Sequence, residues 1–314
     1  METYLEVLTT EQEVETLAGQ ARVPRRFPLS EGDELIGSGF LSHTVKAPET
    51  LMELAREYGL GYNEISLANP NINPWLPKPG TLLTASYLRI LPGLDNPVDI
   101  IVNIPEMRLY HRVKPGWVDT YAIGVGRVGT RTPTGSATLL RKKAGPNWYV
   151  PKSILEKKPD LPAVVPPGPA NPLGTHALYL SIPQYLLHGT NEPLGIGRRV
   201  SHGCIRLYPE DIVVLFEQAK IGSRVRLVQE PVKAGWRGRE LYLEVYPLFE
   251  EALEGETEES GRKKIREEAT KAVSRALARR PDWVVEIQWG KVDNLVERPD
   301  GMSHPIGSVI PDNP

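Results

Sequence analysis

Leu187-His188-Gly189-Thr190 and, after a loop, Val200-Ser201-His202-Gly203-Cys204-Ile205-Arg206-Leu207 decide how this chain is read. Cys204 is the only cysteine among 314 residues. That excludes an intrachain disulfide and a zinc site built from several cysteines. The thiol stands two residues from one histidine and sixteen from another, and each histidine is followed by glycine. Glycine lets the backbone approach a ligand closely. Thiolate is the nucleophilic form of cysteine, and a neighbouring imidazole can take its proton to leave a reactive ion pair. The Gly203-Cys204 turn offers backbone N–H groups to a tetrahedral oxyanion. Arg206 keeps its charge, so it suits a carboxylate on a substrate and not base catalysis. A lone cysteine is also compatible with an inert buried thiol. Zinc held by His188, His202 and Cys204 is disfavoured, because the i, i+2 pair lacks metal-ligand spacing and no fourth ligand stands nearby. The expectation is a site with no metal and no cofactor.

Around this stretch, residues 97–229 read as a β-rich domain. Strands are expected over Val98–Ile104, Arg108–Arg112, Thr120–Val125, Ala137–Arg141, Ala177–Ile182 and Arg224–Val228, with proline and glycine turns between them. Pro162–Pro169 reads as stiff and extended, and Pro209–Ala219 as the one helix. Short strands with many turns suit a sandwich or barrel. The chain's 30 prolines and 28 glycines fit that picture. Net charge is −2, from 37 basic and 39 acidic residues, so no overall field draws the protein to nucleic acid or an anionic membrane. No apolar run is long enough to span a membrane.

Upstream, residues 1–41 read as a polar segment and linker, with a short helix at Glu11–Ala18 and breaks at Pro24, Pro28 and Gly32. Residues 42–87 read as strand–helix–helix–strand: His43-Thr44-Val45, a helix entered at Pro48-Glu49-Thr50 with Leu51, Leu54, Ala55 and Tyr58 on one face, a second helix at Tyr62–Ala68, and Thr81–Thr84. Downstream, residues 230–314 read as an α+β subdomain. It has strands at Leu241–Tyr246 and Trp283–Trp289, a helix near Glu259–Arg279, and a closing loop of about 15 residues. The acidic run before that helix is read as a solvated face.

The His188-Gly189-Thr190 and Ser201–Leu207 stretches resemble the L,D-transpeptidase (YkuD) family. That family's motif is a histidine-glycine pair, then a serine- or threonine-histidine-glycine-cysteine run, with arginine or asparagine two residues beyond. The similarity covers roughly residues 43–230. It includes Glu106–Tyr110, Gly124-Val125-Gly126, Thr132-Pro133-Thr134-Gly135, Pro162–Gly174 and Gly195-Ile196-Gly197. His43-Thr44-Val45, Thr50-Leu51, Leu54-Ala55, Asn69-Pro70, Ile72 and Pro79-Gly80 resemble a LysM module, a class that binds glycans containing N-acetylglucosamine. The alternative there is a small α/β spacer without glycan affinity. The combination is similar to the proteobacterial enzymes that anchor Braun lipoprotein to peptidoglycan.

The resemblance implies a mainly β chain. It would have a YkuD-type β-sandwich or barrel catalytic domain, a small α/β LysM-like domain and an α+β C-terminal extension. It implies that Cys204 attacks the meso-diaminopimelate carbonyl of a peptidoglycan tetrapeptide stem and releases D-alanine. An amine, from a lipoprotein lysine or a second diaminopimelate, then takes the acyl group. His188 matches the proton acceptor and donor, while His202 and Gly203 support the thiolate and oxyanion. Arg206, Ser201, Gly189 and Thr190 line the substrate side. Water as acceptor would give a carboxypeptidase, and a vestigial site would leave a peptidoglycan-binding scaffold. The compartment implied is the periplasm. Yet the N-terminus lacks an apolar signal core, and Arg25-Arg26 lacks a twin-arginine context. Export thus implies that Met1 is not the natural start.

Overall fold

The computed structural model describes residues 25–253 and 257–311; the expected helix at Glu11–Ala18 lies outside them. The chain is mainly β. Around the barrel the strands follow the order Trp117–Gly126, Ile205–Leu207, Leu186–His188, His176–Leu180, Gly135–Ala144, Arg224–Val228, Ile100–Asn103 and Arg108–Lys114. The last pairs again with the first, so the barrel is closed. Alternation drives this closure. Val102, Leu109, Ile123, Leu139, Leu178, Leu187, Ile205 and Leu227 point inward and are buried together. Each such aliphatic side chain contributes about 1.5–3 kcal/mol through removal from water. The helix Pro209–Gln218 seals the core with Ile212 and Leu215. Pro209 sits in its first turn with Glu210 and Asp211, as the orphan N–H groups and the dipole favour.

Arg26–Pro28 adds to the barrel edge at Trp117–Asp119, and Leu35–Ile36 pairs with Arg89–Ile90, where the sequence suggests only a linker. Between Gly135–Ala144 and His176–Leu180 the chain leaves the barrel as a flap. Trp148–Tyr149 pairs with Val164–Val165 around a short helix, Lys152–Leu155, which the sequence reading missed. Buried Asn171 ties the flap base, with Nδ2 donating to Pro146 O (2.8 Å) and Oδ1 accepting from Leu173 N (2.9 Å).

The N-terminal unit has antiparallel strands Phe40–Thr44 and Leu82–Ser86, and helices Leu51–Glu57 and Tyr62–Ala68. Thr50 and Glu53 form a capping box at the first helix. Asn69 bonds Ile65 O, Thr84 O and Thr84 N, which locks the second helix to the returning strand. The C-terminal unit packs the helix Glu258–Ala278 on strands Val232–Arg237, Glu240–Val245, Ser303–Val309 and Val285–Ile287. Two expectations are corrected there. The closing loop is largely the strand Ser303–Val309, and the expected strand Trp283–Trp289 shrinks to Val285–Ile287 because Trp289 opens the helix Trp289–Glu297. Among the described residues no helix is long and apolar enough to cross a membrane.

Buried charge joins the three units. Glu64 of the N-terminal unit meets Arg89 (2.6 Å) and Arg108 of the barrel (2.5 Å). Burial pushes the Glu64 carboxyl up, but Arg108 and Arg89 outweigh that and hold it at about 2. Lys233 of the C-terminal unit lies 2.8 Å from both Glu106 and Glu244, and Tyr110 donates to Glu106. Burial raises the Glu106 carboxyl above its ordinary range, against the pull of Lys233.

Candidate active site

The strands Leu186–His188 and Ile205–Leu207 run parallel, with Leu187 opposite Ile205 and His188 opposite Arg206. Alternation sends Leu187, Ile205 and Leu207 into the core. His188 and Arg206 therefore share the other face, and Cys204, one residue before its strand, falls on the side of Arg206. The parallel pairing thus brings the thiol and the His188 imidazole to one surface despite the loop between them.

The turn before Cys204 is held by short-range bonds. Ser201 Oγ donates to Cys204 O (2.6 Å) and accepts from Gly203 N (3.1 Å). Gly203 has φ +107°, a conformation that L side chains avoid, and a Cβ there would lie 3.0 Å from Tyr185 Cε1. Thr132 Oγ1 donates to Gly203 O (2.8 Å) and accepts from Gly126 N (3.0 Å), and Thr130 Oγ1 donates to Ser201 O (3.1 Å). Thr132 therefore fixes the turn. Its place in the Thr132–Gly135 run was visible in the sequence, but the run alone carries no sign of this contact. Ser201 and Thr190 are buried and use their hydroxyls on backbone, Thr190 Oγ1 accepting from Glu192 N (2.9 Å). A Cβ on Gly189 would press on Ile212 Cγ2 at 3.1 Å. These three residues, expected on the substrate side, are all buried.

His188 is buried, and its Nδ1 lies 2.6 Å from Gly189 O. The carbonyl fixes the proton on Nδ1 and leaves the Nε2 lone pair to receive one. Burial, reinforced by Arg206, lowers its pKa to about 4, against the smaller pull of the Gly189 and Leu173 carbonyls. Cys204 is partly exposed and its Sγ donates to Gln184 O at 3.4 Å. Burial pushes the thiol above its ordinary value, while Leu186 N–H and Arg206 pull it down by less. The resting pair is thus neutral thiol and neutral imidazole. Burial favours the neutral form of both groups, a desolvation that the motif does not reveal.

His202 is exposed and its Nε2 accepts from Arg127 Nη2 (2.9 Å). Burial, then Arg127, Arg206, Lys157 and Lys158, lower its pKa. It is therefore neutral, with Nδ1–H available to donate. Arg127 is a neighbour that no motif indicates. Arg206 pairs with Glu192 at 3.1 Å, while its Nε is buried without a hydrogen-bond partner. The flap lysines and Arg127 give this surface a basic rim.

A thiol, a proton-accepting imidazole and backbone amides on one sheet face define a cysteine-dependent acyl-transfer site. Residues 97–227 match the family model for the L,D-transpeptidase catalytic domain, YkuD. The chain is 42% identical over 220 residues to "Probable L,D-transpeptidase YbiS" of Escherichia coli K12, covering 66% of this chain and 70% of that protein. It is 39% identical over 218 residues to "Probable L,D-transpeptidase ErfK/SrfK" of the same organism, covering 66% and 69%. The solution structure of the catalytic domain of an E. faecium L,D-transpeptidase aligns with 42% of this chain and 97% of that one, at 20% identity and a TM-score of 0.32. The chain belongs to the L,D-transpeptidase family.

Proposed function

We propose that the chain is a cysteine-dependent peptidoglycan L,D-transpeptidase in which Cys204 is the nucleophile and His188 the general base. The observation that carries this is the parallel register that puts both on one face beside Arg206. Cys204 Sγ attacks the diaminopimelate carbonyl of a tetrapeptide stem as its proton passes to His188 Nε2. The C–N bond to D-alanine then breaks, and His188 returns the proton to the leaving amine. An incoming amine reverses the sequence: it attacks the thioester, gives a proton to His188, and the C–S bond breaks with the proton restored to sulfur. The thioester conserves the acyl bond's energy, so no nucleotide is needed.

Gly203 N–H is engaged by Ser201 Oγ. The Cys204 N–H and the His202 Nδ1–H are therefore the donors we assign to the oxyanion. Arg206, whose guanidinium Nη1 reaches Glu192 at 3.1 Å, is assigned to a stem carboxylate that takes the place of Glu192. Residues 42–87 are assigned as a LysM-like glycan-binding module, 97–229 as the catalytic domain and 230–314 as a C-terminal subdomain. The acceptor is a Braun-type lipoprotein lysine or a second diaminopimelate, and the compartment is the periplasm.

Carbapenem acylation followed by mass spectrometry tests the nucleophile. The wild type should gain one adduct and Cys204→Ala none; an adduct on that variant overturns the reading. Tetrapeptide muropeptides, incubated with and without lipoprotein, separate transfer from hydrolysis by product mass.

A further inference from the structure

The loop that joins His188 to Cys204 rests on the N-terminal unit. Ile196 O accepts from Tyr62 N and Gly197 O from Asn63 N, both at 3.2 Å. Those amides open the helix Tyr62–Ala68, and the first amides of a helix have no carbonyl of their own to bond. The loop supplies it. On its other side the loop is bonded to the barrel, Gly197 N to Ile123 O (3.0 Å) and Arg198 O to Val125 N (3.2 Å). Contact is close: a Cβ at Gly197, where φ is +75°, would lie 2.1 Å from Tyr62 N. Ile196 is buried with Ala122 and Tyr208, and Tyr208 Oη donates to Leu60 O (3.0 Å). Arg56 grips Glu210 through two bonds (3.0 and 3.2 Å), and Glu64 on the docking helix meets barrel Arg108.

Both ends of this loop reach the site. Glu192 holds Arg206, and beyond Gly197 the strand Arg199–Ser201 runs beside Val125 and Gly126 to Ser201, which holds Cys204 O. We propose that the N-terminal unit is part of the catalytic apparatus and not only a tether. Its helix Tyr62–Ala68 fixes the loop that aligns Cys204 and Arg206, with Tyr62 and Gly197 as positioning residues. This rests on the transpeptidase reading above. It differs from tethering in one respect: a tether raises local substrate concentration, which matters only for substrates that carry glycan.

The test therefore uses the full chain and a glycan-free tetrapeptide stem, reading kcat and KM for D-alanine release. Tyr62→Pro removes the N–H that bonds Ile196 O. It keeps the helix, because proline is tolerated at the first helical position and Gly61 before it is extended (ψ 154°). Tyr62→Ala loses the ring and keeps the N–H. Proline also sets its Cδ against Ile196 O, 3.2 Å from the nitrogen, so the contact is both unbonded and pushed apart; we expect kcat of Tyr62→Pro to lie at least about 3-fold below that of Tyr62→Ala, with KM within about twofold. A folded Gly197→Ala should fall further. Equal kcat for the two Tyr62 variants, or a change confined to KM, overturns the inference, as does wild-type kcat in a folded Gly197→Ala. If Gly197→Ala does not fold, the Tyr62 pair decides alone. Wild-type protein that neither turns over stem nor gains a carbapenem adduct refutes the transpeptidase reading itself; a competent wild type with indifferent variants refutes only this inference.

Discussion

Replacing His188 with asparagine should remove a defined part of the protein's acid sensitivity. In the unfolded chain this histidine titrates near 6.5, and in the folded chain at about 4, through burial and then Arg206. Between those values the unfolded chain binds a proton that the folded chain refuses. Stability therefore rises with pH across that window and is lost as pH falls through it. The full loss is about 3 kcal/mol, at about 1.4 kcal/mol per pH unit of separation, and between pH 7 and 4.5 it is about 2 kcal/mol. Asparagine does not titrate, and its amide can take over the Nδ1–H bond to Gly189 O. Carboxylates such as Glu64, held at about 2, behave alike in both proteins and cancel in the difference. Urea unfolding of both proteins at pH 7 and 4.5 reads the quantity directly. The wild type should lose about 2 kcal/mol more than His188→Asn on acidification. Parallel losses would refute the claim that His188 is buried as a neutral base. The same geometry places the acid limb of wild-type acylation nearer pH 4 than pH 6.5.

Ser201→Ala removes the two bonds that the Ser201 hydroxyl makes in the turn before Cys204 and leaves those of Thr130 and Thr132; it should cost about 1–3 kcal/mol in urea unfolding and slow carbapenem acylation roughly tenfold by stopped-flow fluorescence. An unchanged acylation rate would show that the turn holds without it. Glu64→Gln leaves Arg89 and Arg108 without their buried counter-charge and should destabilise the protein by about 3–5 kcal/mol, read as a lowered thermal midpoint; an unmoved midpoint would mean that the two arginines are solvated elsewhere.

The barrel's longer strands could be read from alternation, and Arg224–Val228 matches the structure residue for residue. The helix at Tyr62–Ala68 was equally legible. The strands that carry the chemistry were not. Leu186–His188, Arg199–Ser201 and Ile205–Leu207 have three residues each, too few to establish a period. Ser303–Val309 contains Pro305 and Gly307, which ordinarily argue against a strand; a register shift in the pairing with Glu240–Val245 accommodates them. Trp289–Glu297 buries only Val292 and Val296, so its helical period is faint. At the site, the motif identified Cys204, His188 and His202 from local spacing. It could not show that Gly197 packs on Gly61, because that contact joins distant parts of the chain. Nor could it weigh the desolvation that leaves the thiol and imidazole neutral, which depends on everything folded around them.

The ionic knot among the three units limits how the enzyme can be cut. A fragment trimmed to residues 97–229 would keep Glu106 but lose Lys233, and keep Arg108 but lose Glu64. Each half-pair would then face solvent or seek a new counter-ion, on the wall of strand Arg108–Lys114 that neighbours Trp117–Gly126, the strand against which the Cys204 turn is braced. Inhibitor screening on such a fragment would sample a barrel with its wiring severed, whereas a protein that carries all three units keeps both ion pairs.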